Sequence, residues 1–527
     1  MEVRQIGKED VVVIPQWQKE DYSGTEPYDW LYKYKSDRFS MLQFRDIIKE
    51  QAKKEGVTNF VARFNAFLES KKQEKAIAAD NVTCFDGQPL ELLCPGYTCE
   101  DAGIITTDHF GFDVVVCPHP IEPIKRLVNI DTGEVKLELA FKRGKRWQQM
   151  TFEKALLASS QQIVQLSKFG IGVNSENSRE LVKFVSAMEN TNYDKIGEVN
   201  SVGRLGWISD GSFSPYNGEL RFDGDSCYQH MFNAVQERGS FEKWLEEIKA
   251  VRRYGLTAKV ILAASFASVL VEPCNMMPFF VHLWGGAGAG KTVGLMLAAS
   301  VWANPILGEY IHTLNSTAVG QEMMAGFVNS MPLILDELQT VSGKGGFDEL
   351  IYKLAEGSGK LRGAKSGGVQ RTQSWRNCIL TTGEQPITSS NSGAGAVLRV
   401  IEIDCKSEKL FEDPRNVVDV LRHNYGFAGK RFVELLSTDG VMEKAKASQK
   451  SYFEKLLEKG AEEKQAIAAS IILTADSLTA ENFFKDKPLT VDEVYPLLAT
   501  NSQVDKNRRA YEWVADFVAM NPNKFSA

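Results

Sequence analysis

A chain of 527 residues has room for three or four domains at roughly 150 residues each. Hydrophobic residues make up 43% and charged residues 24%, ordinary globular proportions that exclude long disorder, collagen and coiled coil. The 61 basic and 68 acidic residues leave a net charge of −7, which excludes a surface basic throughout and confines any nucleic-acid contact to a local patch.

The start, Met1-Glu2-Val3-Arg4-Gln5, is polar and lacks the apolar core of a signal peptide. Within residues 1–80 the later half reads as helical: Phe44, Ile47, Ile48 and Ala52 recur at helical spacing, as do Phe60, Phe64 and Phe67. From about 80 to 150 short apolar runs alternate with turn signals, including Val114-Val115-Val116 and a hairpin around Asp131-Thr132-Gly133. Lys142-Arg143-Gly144-Lys145-Arg146 reads as a basic hairpin tip, or more plainly as an exposed charged turn. Helical patterns are expected over Phe152–Lys168 and Arg179–Met188, and short strands such as Leu205–Ile208 in the Gly/Ser/Asp-rich stretch Ser201–Asp225. The apolar run Val260–Val271 is too short to cross a bilayer. Eight cysteines in so long a chain are no disulfide scaffold, so a soluble, reduced, cytoplasmic protein without membrane contact is the expectation.

Between Phe279 and Asp404 apolar strands alternate with helical patterns, as in a parallel α/β sheet with both faces covered. The expected strands are Phe279–Trp284, Tyr310–Leu314, Met331–Leu335, Cys378–Thr382 and Val397–Ile403. After about 430 the chain reads as helical again.

Inside this region Gly285-Gly286-Ala287-Gly288-Ala289-Gly290-Lys291-Thr292 satisfies G-x-x-x-x-G-K-[ST] between a buried strand and an apolar helix. Residues without bulky side chains let backbone N–H groups converge on phosphate oxygens at a helix N-terminus. Lys291 is expected against the β- and γ-phosphates of ATP, and the Thr292 hydroxyl on Mg²⁺. Met331-Pro332-Leu333-Ile334-Leu335-Asp336-Glu337 lies 45 residues past Lys291 and ends an apolar strand in two carboxylates. Asp336 would hold Mg²⁺ through water, and Glu337 would orient or deprotonate the attacking water, the mark of a hydrolase. At the tip of the next strand Thr382 is the chosen contact to that water, with Thr381 and Glu384 as alternatives. Past Ser389–Gly395, Arg399 opens an apolar strand. In a ring it could reach a neighbour's ATP as a finger; a locally paired arginine is the plainer alternative.

From Gly357 to Gly383 there are five basic residues, Lys360, Arg362, Lys365, Arg371 and Arg376, and no acidic one. Two extended runs flank Ser366-Gly367-Gly368, a hairpin signal. Lys360, Arg362, Lys365 and Arg371 are the candidate DNA contacts, with Lys365 at the tip gripping the backbone in a sequence-independent, salt-sensitive way.

The stretch from about Val128 to Phe525 resembles phage and prophage ATPases grouped as a domain of unknown function. They are related to superfamily-three and minichromosome-maintenance-like AAA+ helicases of mobile elements. The resemblance is carried by Leu166-Ser167-Lys168-Phe169-Gly170-Ile171, Gly203-Arg204-Leu205-Gly206-Trp207, Phe279 to Gly285, Leu335-Asp336-Glu337-Leu338-Gln339, and Trp375-Arg376-Asn377 through Gly383-Glu384. It implies a ring, usually a hexamer, translocating on DNA during replication of the element, with Lys365 on a pore hairpin and Arg399 as the trans-acting finger. Some relatives continue into a winged-helix module, whereas this sequence runs to Asn523-Lys524-Phe525-Ser526-Ala527, and residues 1–80 carry no recognisable primase or origin-binding motif.

The expected fold is α/β: an AAA+ (P-loop, ASCE) parallel-sheet ATPase core with a mixed α/β N-terminal and middle region and a C-terminal helical lid. The divisions are 1–80 mostly helical, 81–250 collar-like, 251–430 ATPase and 431–527 lid. The expected activity is that of an ATP- and Mg²⁺-dependent DNA helicase or translocase. Expected partners are DNA, further copies of the chain, and primase or other replication proteins. A loader or remodeller of a replication partner, and a nucleotide-gated regulatory or defence ATPase, are the competing readings. Cys84, Cys94, Cys99 and Cys117 with His119 lack the paired spacing of structural zinc sites, and buried thiols are favoured. His282 reads as a satisfied core histidine. Trp302, Trp375 and Trp513 read as core, with base stacking open only to Trp375.

Overall fold

A computed structural model describes residues 2–4, 11–77, 81–108, 113–313, 317–338, 347–361, 363, 372–388, 392–406, 409–499, and 511–525 except 512, 513 and 516. The chain forms two compact units, Met1–Asn200 and Ser201–Ala527.

In the first unit the helical spacings place their apolar residues inward. Asp37 caps the helix Arg38–Lys54 by accepting from Ser40 N at 3.1 Å, and Phe44, Ile48 and Ala52 are buried along one face. On the helix Phe60–Ile77 the rings of Phe60, Phe64 and Phe67 stack in series against Tyr28, at centroid distances of 5.5–6.3 Å. Beyond them an antiparallel meander runs Ile121–Asn129, Val135–Arg143, Arg146–Glu153. Its first turn is the expected one, where Asn129 Oδ1 accepts from Asp131 N and Thr132 N, both at 3.0 Å. Its second is the basic tip, with Arg143 opposite Arg146. Lys142 there is paired with Asp101 at 2.9 Å and Asp86 at 3.4 Å, so it is not a solvated charge.

The helix expected over Phe152–Lys168 is not formed. The strand continues to Glu153 with Phe152 opposite Leu137, then gives way to a short helix Lys154–Leu157 and a 3-10 helix Ile163–Phe169. Between them Ser159 O accepts from Gln162 N and Ile163 N, and its hydroxyl competes for Gln162 N, in a turn that leads into the 3-10 helix. The neighbouring helix Ser178–Thr191 forms as expected, with Leu181, Phe184, Val185 and Met188 buried.

The second unit holds a five-stranded parallel sheet. In spatial order it consists of an edge strand (His312–Thr313), an acidic strand (Leu333–Asp336), a threonine strand (Cys378–Gly383), a loop strand (Phe279–Trp284) and an arginine strand (Val400–Asp404). The loop and threonine strands are buried along nearly their whole length because helices cover both faces. The core helix Leu256–Val271 is apolar all round and lies inside, against the terminal helix Glu463–Thr479. Its serines are not idle: Ser265 Oγ donates to Ala298 O at 2.7 Å and Ser268 Oγ to Ser330 O at 2.9 Å.

Four strand limits differ from expectation, the threonine strand by running one residue further, to Gly383. Among the described residues the first sheet-edge strand covers His312–Thr313, with Leu314 lying outside them, and Tyr310 instead turns inward to donate to Pro332 O at 2.9 Å. The acidic strand starts two residues later and includes Asp336. The last strand begins at Val400, because Ala394–Val397 makes one helical turn whose successors Leu398 N and Arg399 N bond back to Ala394 O and Ala396 O. Arg399 therefore sits in the turn that leads into the strand.

The short strand expected over Leu205–Ile208 reduces to Gly206–Trp207. It braces the start of the acidic strand: Trp207 N donates to Ser330 Oγ and Asn329 Nδ2 to Trp207 O, both at 2.8 Å. Gly206 has φ of 80°, and a Cβ there would lie 2.1 Å from Ser330 Oγ, so only glycine serves.

Candidate functional site

At the C-terminal edge of the sheet the chain leaves the loop strand through Gly285, with φ of 149°, passes Gly288 at 81°, and enters the helix Lys291–Ser300 through Gly290 at 89°. These are conformations that side chains resist, and a Cβ on Gly290 would also meet Phe411 at 3.3 Å. The glycines thus expose the loop backbone at a ten-residue helix N-terminus, where N–H groups and the helix dipole favour an anion.

Thr292 Oγ1 donates to Asp336 Oδ2 at 3.2 Å. Asp336 is only 5% exposed, and its other oxygen accepts from the Thr382 hydroxyl and from Glu337 N at 3.1 Å. Glu337 N also donates to Thr382 Oγ1 at 3.1 Å. This double anchoring holds Glu337 at φ of 53°, an uncommon conformation for a side-chain-bearing residue, and its carboxylate group stands exposed. Lys291 Nζ folds back onto Gly285 O and Gly286 O at 2.7 and 2.8 Å.

Residues Ala287–Val293, Asp336, Glu337, Thr382, Gly383, Glu384 and Pro414 surround one cavity of about 620 Å³. A volume of that size suits a small-molecule ligand. The chemistry suits a polyphosphate with a hard cation: an exposed run of backbone donors, one ammonium, and a hydroxyl beside a carboxylate as oxygen donors for Mg²⁺.

The two threonines of the threonine strand divide their work. Thr382 joins the carboxylate network, while Thr381 turns to the other face and meets His282 Nδ1 at 2.8 Å. His282 Nε2 lies 3.0 Å from Gln385 O, which can only accept, so Nε2 carries the proton and Nδ1 accepts from Thr381. Burial, helped by nearby Lys291, pulls the pKa of His282 down to about 4, and the ring is neutral near pH 7.

Other expected site residues lie elsewhere. Arg399 stands at the opposite end of the sheet, beyond the five residues of the arginine strand, roughly 16 Å of extended chain from the loop edge. Lys360 is exposed at the base of a hairpin whose limbs meet through Gly359 N to Gln373 O at 2.8 Å and Trp375 N to Gly357 O at 3.0 Å. Arg362, Lys365 and Arg371 lie outside the described residues, as does Trp513. Arg376 is committed to Gly357 O at 2.9 Å and Trp375 O at 2.8 Å. Trp375 is fully buried and donates to Leu354 O at 2.7 Å, so base stacking by it is ruled out. In the first unit both ring nitrogens of His119 are engaged, with Pro120 O at 2.9 Å and Gly172 N at 2.8 Å; Cys94, Cys99 and Cys117 are buried and Cys84 is exposed.

Residues 103–375, just over half of the chain, match the family described as "Domain of unknown function (DUF927)". The chain belongs to the DUF927 family. The match runs from the first unit through the glycine loop and the acidic strand to the buried Trp375. A solved structure described as "SCCmec type IV Cch - active helicase" is similar in fold to this DUF927 chain. The two are 18% identical with a TM-score of 0.59, over 82% of this chain and 83% of that one. The C-terminal region of NrS-1 aligns at 10% identity over 72% of this chain and 91% of its own, with a TM-score of 0.29. A stretch of 89 residues, 17% of the chain, is 30% identical to the succinate–CoA ligase [ADP-forming] subunit beta of Nautilia profundicola. The chain spans 22% of the length of that curated relative. Among the described residues no helix is long and apolar enough to cross a membrane.

Proposed function

We propose that this DUF927 chain is an ATP-driven DNA helicase or translocase of a phage or mobile genetic element, working as an oligomeric ring during replication. Its second unit is read as an AAA+ P-loop core with the helices after about 430 as the lid. The observation that carries the reading is the hydrogen-bonded chain Thr292–Asp336–Thr382–Glu337 N at the mouth of the glycine loop. The strand order supports it, because the threonine strand lies between the loop and acidic strands and so brings Thr382 beside the carboxylates.

In this reading the loop N–H groups bind the phosphates of ATP and Lys291 leaves the loop carbonyls to pair with the β- and γ-phosphates. Thr292 and Asp336 would hold Mg²⁺, which when bound would supply positive charge beside the phosphate oxygens. Glu337 orients and deprotonates the attacking water, and Thr382 keeps both carboxylates in register for it. Arg399 cannot serve its own copy from the far end of the strand. In a ring it serves the next copy, where a guanidinium offsets transition-state charge. The paired limbs at Gly357–Gly359 and Gln373–Trp375 support a hairpin bearing Lys360, Arg362, Lys365 and Arg371 that grips DNA phosphates.

Unwinding of forked DNA tests the reading. Wild type should separate the strands with ATP and Mg²⁺, whereas Lys291→Ala should bind nucleotide poorly and do neither chemistry nor unwinding. Glu337→Gln should retain nucleotide binding and lose hydrolysis by about 10³-fold or more. ATP hydrolysis by the wild type without any strand separation would favour the loader or remodeller instead.

A further inference from the structure

The helix Asp348–Ala355 connects parts that lie far apart in sequence. It ends just before Gly357, where the hairpin limbs pair. In its first turn the Asp348 carboxylate accepts from Ser392 Oγ at 2.6 Å and Gly393 N at 2.8 Å. One turn later the Tyr352 ring faces Arg399, whose guanidinium carbon lies 5.1 Å from the ring centroid. Arg399 Nη1 donates to Gly395 O at 2.7 Å. A Cβ on Gly393 or Gly395 would stand 2.7 or 2.9 Å from the Tyr352 hydroxyl, so the two glycines let this turn lie against the ring.

The same turn is held from its other side. Gln465, 1% exposed on the terminal helix, donates to Val397 O at 3.0 Å and to Val400 O at 2.7 Å, bracketing Arg399. Arg399 borders a cavity of about 650 Å³ whose polar lining includes Glu356, Ser358, Glu463 and Lys464. Its backbone is thus clamped by Gln465, while the direction of its side chain is set by one carbonyl and one aromatic face. A cation held over a ring keeps its charge available at its free edge.

We propose that Tyr352 is a positioning residue that aims Arg399 at the phosphate site of a neighbouring copy. The inference rests on the reading of Arg399 as a residue that acts in trans, and the test separates the two. Tyr352→Leu should lower kcat of the DNA-stimulated ATPase about tenfold with little change in KM, since misaiming a transition-state contact leaves ground-state binding intact. Tyr352→Phe keeps the ring and should stay within about twofold of wild type. Gly395→Ala, which brings a methyl group to 2.9 Å from the Tyr352 hydroxyl and 3.1 Å from Arg399 Nη1, should reproduce the loss without touching the ring.

Mixed rings supply the decisive readout. Copies with Glu337→Gln hydrolyse nothing but keep Tyr352 and Arg399, so mixing them with Tyr352→Leu copies should restore turnover above the sum of the separate preparations. Arg399→Ala copies should be rescued in the same way. Rescue of Arg399→Ala without rescue of Tyr352→Leu overturns the role of Tyr352 and leaves the trans reading standing. Rescue of neither overturns the trans reading and this inference with it. Full activity of both Tyr352→Leu and Gly395→Ala overturns the positioning role alone.

Discussion

Glu122 illustrates how much one buried atom can impose. It is fully buried in the meander, with Oε1 accepting from Leu90 N at 3.1 Å and Oε2 without a partner among the described residues. Burial raises its pKa from an ordinary 4.5 to about 7, against a small lowering by the Leu90 bond. The folded chain thus keeps the proton up to about pH 7, whereas the unfolded chain releases it near 4.5, and this contribution to stability falls as pH rises through that window. Glu122→Gln keeps the acceptor for Leu90 and removes the charge. It should therefore stabilise the protein by up to about 3 kcal/mol at pH 8, with the gain vanishing below about pH 4.5. Thermal melts of both proteins across that range check it, and a pH-independent difference would contradict the ionised carboxylate as the cause.

Between elements, a buried ion pair joins the helix Phe241–Tyr254 to the helix Glu463–Thr479. Arg252 Nη1 lies 2.5 Å from Asp476 Oδ1, both side chains fully buried, and its Nε and Nη2 donate to Asp486 at 2.8 and 2.9 Å. Asp476 Oδ2 in turn accepts from Leu489 N at 2.6 Å. Removing the guanidinium would leave the Asp476 carboxylate buried and uncompensated, so Arg252→Met should cost about 3–5 kcal/mol in urea denaturation. Adding Asp476→Asn, which still accepts from Leu489, should recover much of that loss. Neither residue stood out in the sequence: one of two adjacent arginines in an amphipathic helix and an Asp in a helix buried nearly all round show their partnership only when the helices cross.

On the proposed reading of the molecule as a ring-forming motor, the expected observables are collective. With an ATP analogue and single-stranded DNA the protein should sediment at several times its monomer mass, and analytical ultracentrifugation reads this directly. Lys365→Ala should weaken DNA binding equally across sequences. It should also reduce the slope of log affinity against log salt by about 0.7, the share of one phosphate contact on a single strand. An unchanged slope would remove Lys365 from the grip.

The glycine loop, the acidic strand and the order of the five strands' appearance were all legible in the chain. Each depends on local demands: positive φ at Gly288 and Gly290, a hydroxyl after Lys291, apolar runs too uniform to face water. The interrupted helix after Phe152 and the late start of the arginine strand were not legible, because side-chain and turn hydrogen bonds outcompeted apolar periodicity there. Tertiary structure alone decided that Thr382, the threonine chosen from the sequence, bonds to Asp336 while Thr381 turns to His282, that Arg399 stands a strand length from its own loop, and that Tyr352 and Gln465 converge on it. Strand order and helix crossings fix those meetings, and they arise from burial shared across the whole second unit, which no local run of residues encodes.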